Sequence, residues 1–137
     1  MSRLSVDTVC ISGPNMDLTP FERLAIADLI GCDTDFRVLA GQLEVATVRQ
    51  REFTGCGVFV HLAVPESAQM ISKRGRCHIT GNPRPFLRHP ELEHGAMAVL
   101  WLEGGVIDCL EMCTFVEDWP SDDHAFQLSH DWPPGYF

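Results

Sequence analysis

The feature that most constrains this chain is a pair of adjacent glycines, Gly104 and Gly105, between two long hydrophobic runs. The runs before and after the pair are EHGAMAVLWLE and VIDCLEMCTFVED. Glycine readily adopts the positive φ angles of a two-residue type I′ turn, and such turns join antiparallel strands. The segment therefore predicts a β-hairpin.

A two-residue turn also predicts which residues face one another across the hairpin. Counting outward from the turn, Glu103 would face Val106 and Ala98 would face Glu111. Glu111 would then share one face of the sheet with aliphatic side chains. A buried carboxylate must be paired, hydrogen-bonded or protonated, so this position is a candidate site.

The residues before the hairpin predict two helices followed by strands. In TPFERLAIADLIG, Thr19 and Glu22 form a capping box and Gly31 follows the last helical turn. The spacing of apolar residues in DTDFRVLAGQLEVA is typical of a second amphipathic helix. Alternating apolar residues then predict strands in VATVRQREF and GVFVHLAV.

These elements predict an α+β fold, in which an amino-terminal helical pair packs on an antiparallel sheet of about four to five strands. The length of 137 residues and the hydrophobic content of 45% suit a single domain, 1–137. Within it we predict a loosely attached arm (1–16), the helical pair (17–46), the sheet (47–118) and an acidic aromatic tail (119–137).

The composition also indicates where the protein works and what it binds. No apolar run is long enough to span a membrane and no secretory signal is present, which predicts a cytoplasmic protein. The net charge of −9 disfavours nucleic acid and favours a basic protein partner. The basic residues of segment 73–88 are either a solvated loop or a local anion-binding patch.

The six cysteines and six histidines do not predict a metal site or a cofactor. On a strand, Cys109 and Cys113 would lie about 13 Å apart at ~3.3 Å per residue, too far to share one zinc ion. The histidines show no spacing of a known ligand signature. We expect free thiols rather than disulfides, since a chain of this size can build its own core.

Two roles stay open for Glu111. As a buried acid with a raised pKa it could act as a general acid or base, with Glu52 or His61 as its companion on neighbouring strands. Alternatively, an ion pair with Arg49 or Arg51 would make it a structural residue.

The second face of the predicted sheet is also too apolar to be left in water. It would carry Met97, Trp101 and Met112, and the predicted helices can cover only one face. The segment 65–93, the tail or a second copy of the chain would have to cover this second face. We therefore predict self-association through it.

The chain contains an REFTG…HGA…LE…TF…WP pattern, and in this pattern it resembles a group of small bacterial proteins whose activity is unknown. The resemblance spans roughly residues 20–120. It implies a compact, soluble bacterial protein and supplies no substrate, cofactor or residue role. The matching positions are Arg51, Glu52, Phe53, Thr54, Gly55, Gly57, His94, Gly95, Gly105, Leu110, Glu111, Thr114, Phe115, Trp119 and Pro120.

Two classes of function follow from the sequence. The first is a non-enzymatic binding module with an acidic surface, similar to an immunity protein that neutralises a basic partner. The second is a small hydrolase or isomerase that uses Glu111 with Glu52 or His61 as general acid and base. The sequence lacks a nucleophile elbow, a phosphate-binding loop and a dinucleotide fingerprint, which favours the binding module.

Overall fold

A computed structural model describes residues 8–136 of the chain. A single turn of 3₁₀ helix, Asp123–Ala125, precedes the last strand. The other elements, in chain order, are β1 (Thr8–Met16), α1 (Pro20–Ile30), α2 (Phe36–Val45), β2 (Thr47–Thr54), β3 (Gly57–Ala63), β4 (Arg76–Ile79), β5 (Phe86–His89), β6 (Leu92–Glu103), β7 (Val106–Thr114) and β8 (Gln127–Ser129).

The strands form one antiparallel sheet in the order β1–β2–β3–β7–β6–β5–β8, and β4 pairs with β6 beside β5. The α+β class and the antiparallel sheet are confirmed, but within residues 8–136 the sheet has eight strands rather than about four to five. Three of the additional strands, β4, β5 and β8, have only four, four and three residues. Strands this short show too few alternations to be recognised from their pattern.

The fourth additional strand, β1, lies in the segment that the sequence predicts to be a loosely attached arm. Residues 8–16 pair antiparallel with β2, and their register shifts between Ser12 and Met16. A Gly-Pro pair lies within this shift and interrupts the two-residue period that would have revealed a strand. The part of the predicted arm before Thr8 lies outside the described residues.

Helix α1 begins and ends where the sequence predicts. The hydroxyl of Thr19 accepts a hydrogen bond from the backbone N–H of Glu22 (3.1 Å), and the Glu22 carboxylate accepts one from the backbone N–H of Thr19 (2.8 Å). This reciprocal pair satisfies two amides that the helix itself leaves without partners. Gly31 is the residue at which the helix ends.

Helix α2 is present, but Phe36, the first apolar residue of its amphipathic pattern, does not enter the core. Leu39 and Gln42 are buried, whereas Phe36 is 43% exposed. The Gln42 amide donates to the carbonyl of Gly105 (3.0 Å) and accepts from the backbone N–H of Ile107 (2.9 Å). A polar side chain thus joins α2 to the hairpin turn, and an apolar periodicity could not reveal it.

The predicted hairpin turn is confirmed. Gly104 and Gly105 have φ angles of +58° and +83°, which residues other than glycine rarely adopt. At Gly105 a Cβ atom would also lie 2.2 Å from the carbonyl oxygen of Ile71. The segment that follows β3 therefore packs directly against the turn.

The two helices cover one face of the sheet, which we call the helix face. The hydrophobic core lies between the helices and this face. Burial of these side chains supplies most of the free energy that stabilises the fold. The core side chains include Ile26, Leu29, Ile30, Leu39, Val48, Val60, Leu62, Leu100, Leu102, Leu110 and Met112.

The hairpin register agrees with the prediction only near the turn. Beyond those pairs the register shifts at Asp108, and Trp101 faces Cys109. One extra residue on one strand is a β-bulge, and it moves every later residue of that strand to the opposite face. The pairs that agree are Glu103–Val106 and Leu102–Ile107.

The bulge corrects the position of the central candidate residue. Glu111 faces Val99 rather than Ala98, so it lies on the face opposite the helices. Leu110 and Met112 enter the core in its place and are 0% and 4% exposed. Burying these aliphatic side chains is favourable, whereas burying a carboxylate among them would be costly.

Among the described residues, no helix combines the length and the hydrophobicity needed to cross a membrane.

Candidate functional site

The sheet face opposite the helices, called the outer face, carries all three candidate residues. Glu52 lies on β2, His61 on β3 and Glu111 on β7, which are adjacent strands. The outer face is defined by Glu52, Phe59, His61, Met97, Val99, Trp101, Cys109, Glu111 and Cys113.

Two of the candidates form a hydrogen-bonded pair. The Nε2 atom of His61 lies 3.1 Å from an Oε1 atom of Glu52, and both side chains are partly open to solvent. They come from diagonal positions on paired strands, since His61 faces Gln50 and Glu52 faces Phe59. The contact follows from the pairing of β2 with β3, which the alternating pattern predicts.

Glu111 has a partner that the sequence did not indicate. The indole N–H of Trp101 donates to its carboxylate at 2.8 Å. The predicted ion-pair partners are engaged elsewhere: Arg51 binds Glu22 on the helix face at 2.7 Å, and Arg49 lies 3.8 Å from Asp108. Only the bulge brings Trp101 and Glu111 to one face.

The three candidates therefore form two separate pairs. Phe59 stands directly opposite Glu52 on one side and Glu111 on the other. Because paired strands lie ~5 Å apart, the two carboxylate-bearing backbones are about 10 Å apart. The aromatic ring between them is the centre of the outer face.

Charged groups surround Trp101 at the end of the outer face nearest the hairpin turn. The guanidinium of Arg76 lies 4.8 Å from the centre of the Trp101 ring and 3.2 Å from Asp108. Asp108 is the bulged residue, so the bulge both turns Glu111 outward and places a carboxylate between two arginines. The sequence signal for this cluster was the single polar residue within VIDCL.

The cysteines of the outer face are poor nucleophiles. Burial, together with the carboxylate of Asp108, raises the pKa of the Cys109 thiol to about 12. Burial and the carboxylate of Glu111 also raise the pKa of Cys113. Both thiols are protonated at neutral pH, and the thiolate is the reactive form. Within residues 8–136, no three His, Cys, Asp or Glu side chains group closely enough to hold a metal ion.

One of the three residues of the predicted self-association surface lies on the other face of the sheet. Met97 and Trp101 lie on the outer face, but Met112 is in the core on the helix face. The prediction fails for Met112 because the bulge exchanges the two sets of β7 side chains.

Part of the outer face is covered by the chain itself. The second half of the tail places Trp132 and Tyr136 against Phe86 and Phe115, with ring centres 4.9–5.9 Å apart. Segment 65–93, the other internal candidate for this role, supplies strands β4 and β5 to the sheet and contributes Phe86 to this cluster. The region around Phe59 lies outside this aromatic cluster.

Comparison with known proteins adds no identification, because no family model, no curated protein and no solved structure matches the chain. The resemblance to the bacterial group therefore stays a prediction.

Proposed function

We propose that this protein is a binding module that holds a basic protein partner on its outer face. One observation carries the proposal: Glu52 and Glu111 flank Phe59, and neither carboxylate is paired with a lysine or arginine among the described residues. Their partners are an imidazole and an indole N–H. The fold thus leaves two negative charges available to cationic side chains of a partner.

The side chains around these carboxylates suit a protein interface. Phe59 and Trp101, which are partly exposed, supply apolar area beside the charged positions. Aromatic residues are enriched at interfaces and frequently contribute most of the binding free energy. The partner that fits best offers two cationic side chains on either side of an apolar contact.

The charge of the whole chain supports the same type of partner. A net charge of −9 attracts a basic protein over a long range and accelerates its association. A basic toxin that the protein neutralises is the specific partner that we propose. The predicted cytoplasmic location belongs to this proposal as well.

Photocrosslinking at the centre of the outer face tests the proposal. A benzophenone amino acid replaces Phe59 in the cells that naturally make the protein, and the matched control replaces Leu24, which is 52% exposed on α1. We expect a discrete adduct with a basic protein from position 59 and none from position 24. The double variant Glu52→Lys/Glu111→Lys, carrying the same photoreactive residue, should lose the adduct.

Three outcomes would contradict the proposal. These are an adduct only from the helix position, an adduct that consists of two copies of this chain, and an adduct that is unaffected by reversal of both charges. Circular dichroism of each variant establishes that the fold is retained.

A second candidate function is favoured by the contact between His61 and Glu52. A carboxylate that holds an imidazole at 3.1 Å on an accessible surface is an arrangement that general bases use. This hydrolase or isomerase hypothesis predicts activity on a panel of ester and isomerisable substrates. His61→Gln should abolish that activity, Glu52→Gln should reduce it, and His124→Gln, at an exposed histidine of the 3₁₀ turn, should leave it unchanged. Equal activity in all three variants would reject the hypothesis.

A further inference from the structure

The sheet has a gap along one edge of β6. On that edge β4 pairs with residues 100–103, and β5 pairs with Leu92 and Ala96. Neither strand pairs with residues 97–99. The chain between β4 and β5, residues 80–85, spans this interval and leaves space beside the sheet.

A cavity of about 90 Å³ occupies the gap. Three aromatic rings, those of Phe115, Trp132 and Tyr136, form its walls, with ring centres 5.2–5.9 Å apart. Its polar groups come from Thr80 and Arg84. An apolar pocket with a few polar groups is the usual form of a small-molecule site.

Hydrogen bonds hold the walls of this pocket in place. The indole N–H of Trp132 donates to the carbonyl of Arg84 at 2.9 Å, and the hydroxyl of Tyr136 donates to the carbonyl of His94 at 2.6 Å. Because both rings are fixed before any ligand arrives, binding would cost little conformational entropy.

The guanidinium of Arg84 gives the pocket its charge preference. Arg84 is exposed and lines the cavity, and no hydrogen bond or ion pair to its guanidinium occurs among the described residues. Arg88, the neighbouring arginine, is engaged by the carbonyl of Asp131 (3.0 Å) and by the ring of Phe86. A single free guanidinium beside an apolar pocket matches a carboxylate, which it can bind through two parallel hydrogen bonds.

We propose that this pocket binds a small carboxylic acid with one aromatic ring. The ring would lie among Phe115, Trp132 and Tyr136, and the carboxylate would meet Arg84 at the opening. The cavity volume limits the ligand to one ring, so fused two-ring acids should be excluded. The site shares no residue with the outer-face site around Phe59, so the two proposals stand or fall independently.

NMR titration of the full chain with phenylacetate tests the proposal. The indole N–H signal of Trp132 is the reporter, because it is bonded to Arg84 at the wall of the cavity. We expect saturable shifts at this signal and at the amides of Thr80 and Ala98, with a Kd on the order of 1 mM, which is ordinary for a ligand of this size.

Two matched probes and two matched variants separate the ring from the charge. Arg84→Gln should weaken phenylacetate about tenfold and leave the neutral analogue benzyl alcohol unchanged, since only the anion uses the guanidinium. Arg74→Gln removes the same charge from an exposed position outside the pocket and should change neither ligand. Met97→Trp should fill the cavity and abolish the binding of both.

The absence of saturable shifts in the wild-type chain would overturn the proposal. So would shifts that map away from the cavity, or an affinity for phenylacetate that Arg84→Gln leaves intact. The amide spectrum of each variant shows whether its fold is unchanged.

Discussion

The carboxylates on the two sides of the sheet differ in their burial and in the charge of their partners. On the helix face, Glu22 is buried and receives two hydrogen bonds from Arg51, at 2.7 and 2.8 Å. On the outer face, Glu52 and Glu111 each have one partner that is neither lysine nor arginine and keep part of their hydration. A buried carboxylate requires a charged partner because desolvation is costly, and the half-exposed ones do not.

Cys109 should make the stability of the protein sensitive to alkali. Its thiol pKa rises from the ordinary 9.0 to about 12, because burial and Asp108 both disfavour the thiolate. The unfolded chain loses this proton first, so stability falls as pH rises from 9.0 to about 12. Urea unfolding at about pH 8 and about pH 11 measures this effect. Between these two pH values, the free energy of unfolding should fall by about 3 kcal/mol more in the wild type than in Cys109→Ala.

The control for this prediction is Cys56→Ala, which replaces an exposed thiol. This variant should show the same alkaline loss of stability as the wild type. If Cys109→Ala also follows the wild-type curve, the Cys109 thiolate is not disfavoured in the fold.

Residue-level prediction from the sequence was accurate where partners are close along the chain. The capping box needs only the spacing of Thr19 and Glu22, and it is present. The bond between Trp101 and Glu111 depends on the hairpin register, which a single bulged residue changes. The three bonds of Gln42 reach residues that are 27, 63 and 65 positions away, and local patterns contain no information on them.

At the level of elements, Asp108 determines which side of β7 enters the core. Without the bulge, Glu111 and Cys113 would point toward the helices, and Leu110 and Met112 would point outward. Removing this one residue therefore tests the register of the whole hairpin.

Deletion of Asp108 should destabilise the protein far more than Asp108→Ala. The deletion forces a carboxylate into the core or shifts the turn, and we expect a loss of more than about 4 kcal/mol or failure to fold. The substitution keeps the bulge and removes only exposed ion pairs, which should cost about 1 kcal/mol. Urea unfolding monitored by circular dichroism measures both, and equal losses would show that the bulge is not required.

Elements with a strong pattern were predictable, and those defined by tertiary contacts were not. The long hairpin strands and α1 carry clear signals of periodicity and capping. β4, β5 and β8 are strands only because β6 and β5 offer them an edge with which to pair. A strict alternation, on which the predicted register rests, would have buried the Glu111 carboxylate, and the bulge at Asp108 keeps that carboxylate on the outer face.

For the whole molecule, the tail packs aromatic side chains on both sides of the sheet. Its first half places Phe126 between Phe21 and Trp119, with ring centres 5.4 and 4.9 Å apart, on the side of the core. Its second half places Trp132 and Tyr136 on the opposite side. The tail is one of the candidates that the sequence offers to cover the second face of the sheet, but local patterns could not indicate that the tail contacts both faces.

Two truncations should therefore differ in their effects. A chain that ends after Ser129 loses Trp132 and Tyr136, which are partly exposed, and should fold with a loss of about 2 kcal/mol. A chain that ends after Pro120 also lacks Phe126 and β8. Its free energy of unfolding should be about 3 kcal/mol lower than that of the first truncation. Urea unfolding and near-ultraviolet circular dichroism measure both. Equal stability of the two chains would contradict the packing of Phe126 in the core.

The central position of β7 has a consequence for synthesis on the ribosome. β3 is complete at Ala63, but the strand that pairs with its second edge begins only at Val106. At ~5–20 residues per second, this edge waits roughly 2–9 s for its partner. An unpaired strand edge is a template for aggregation, so nascent chains are most exposed to chaperones and to each other during this interval.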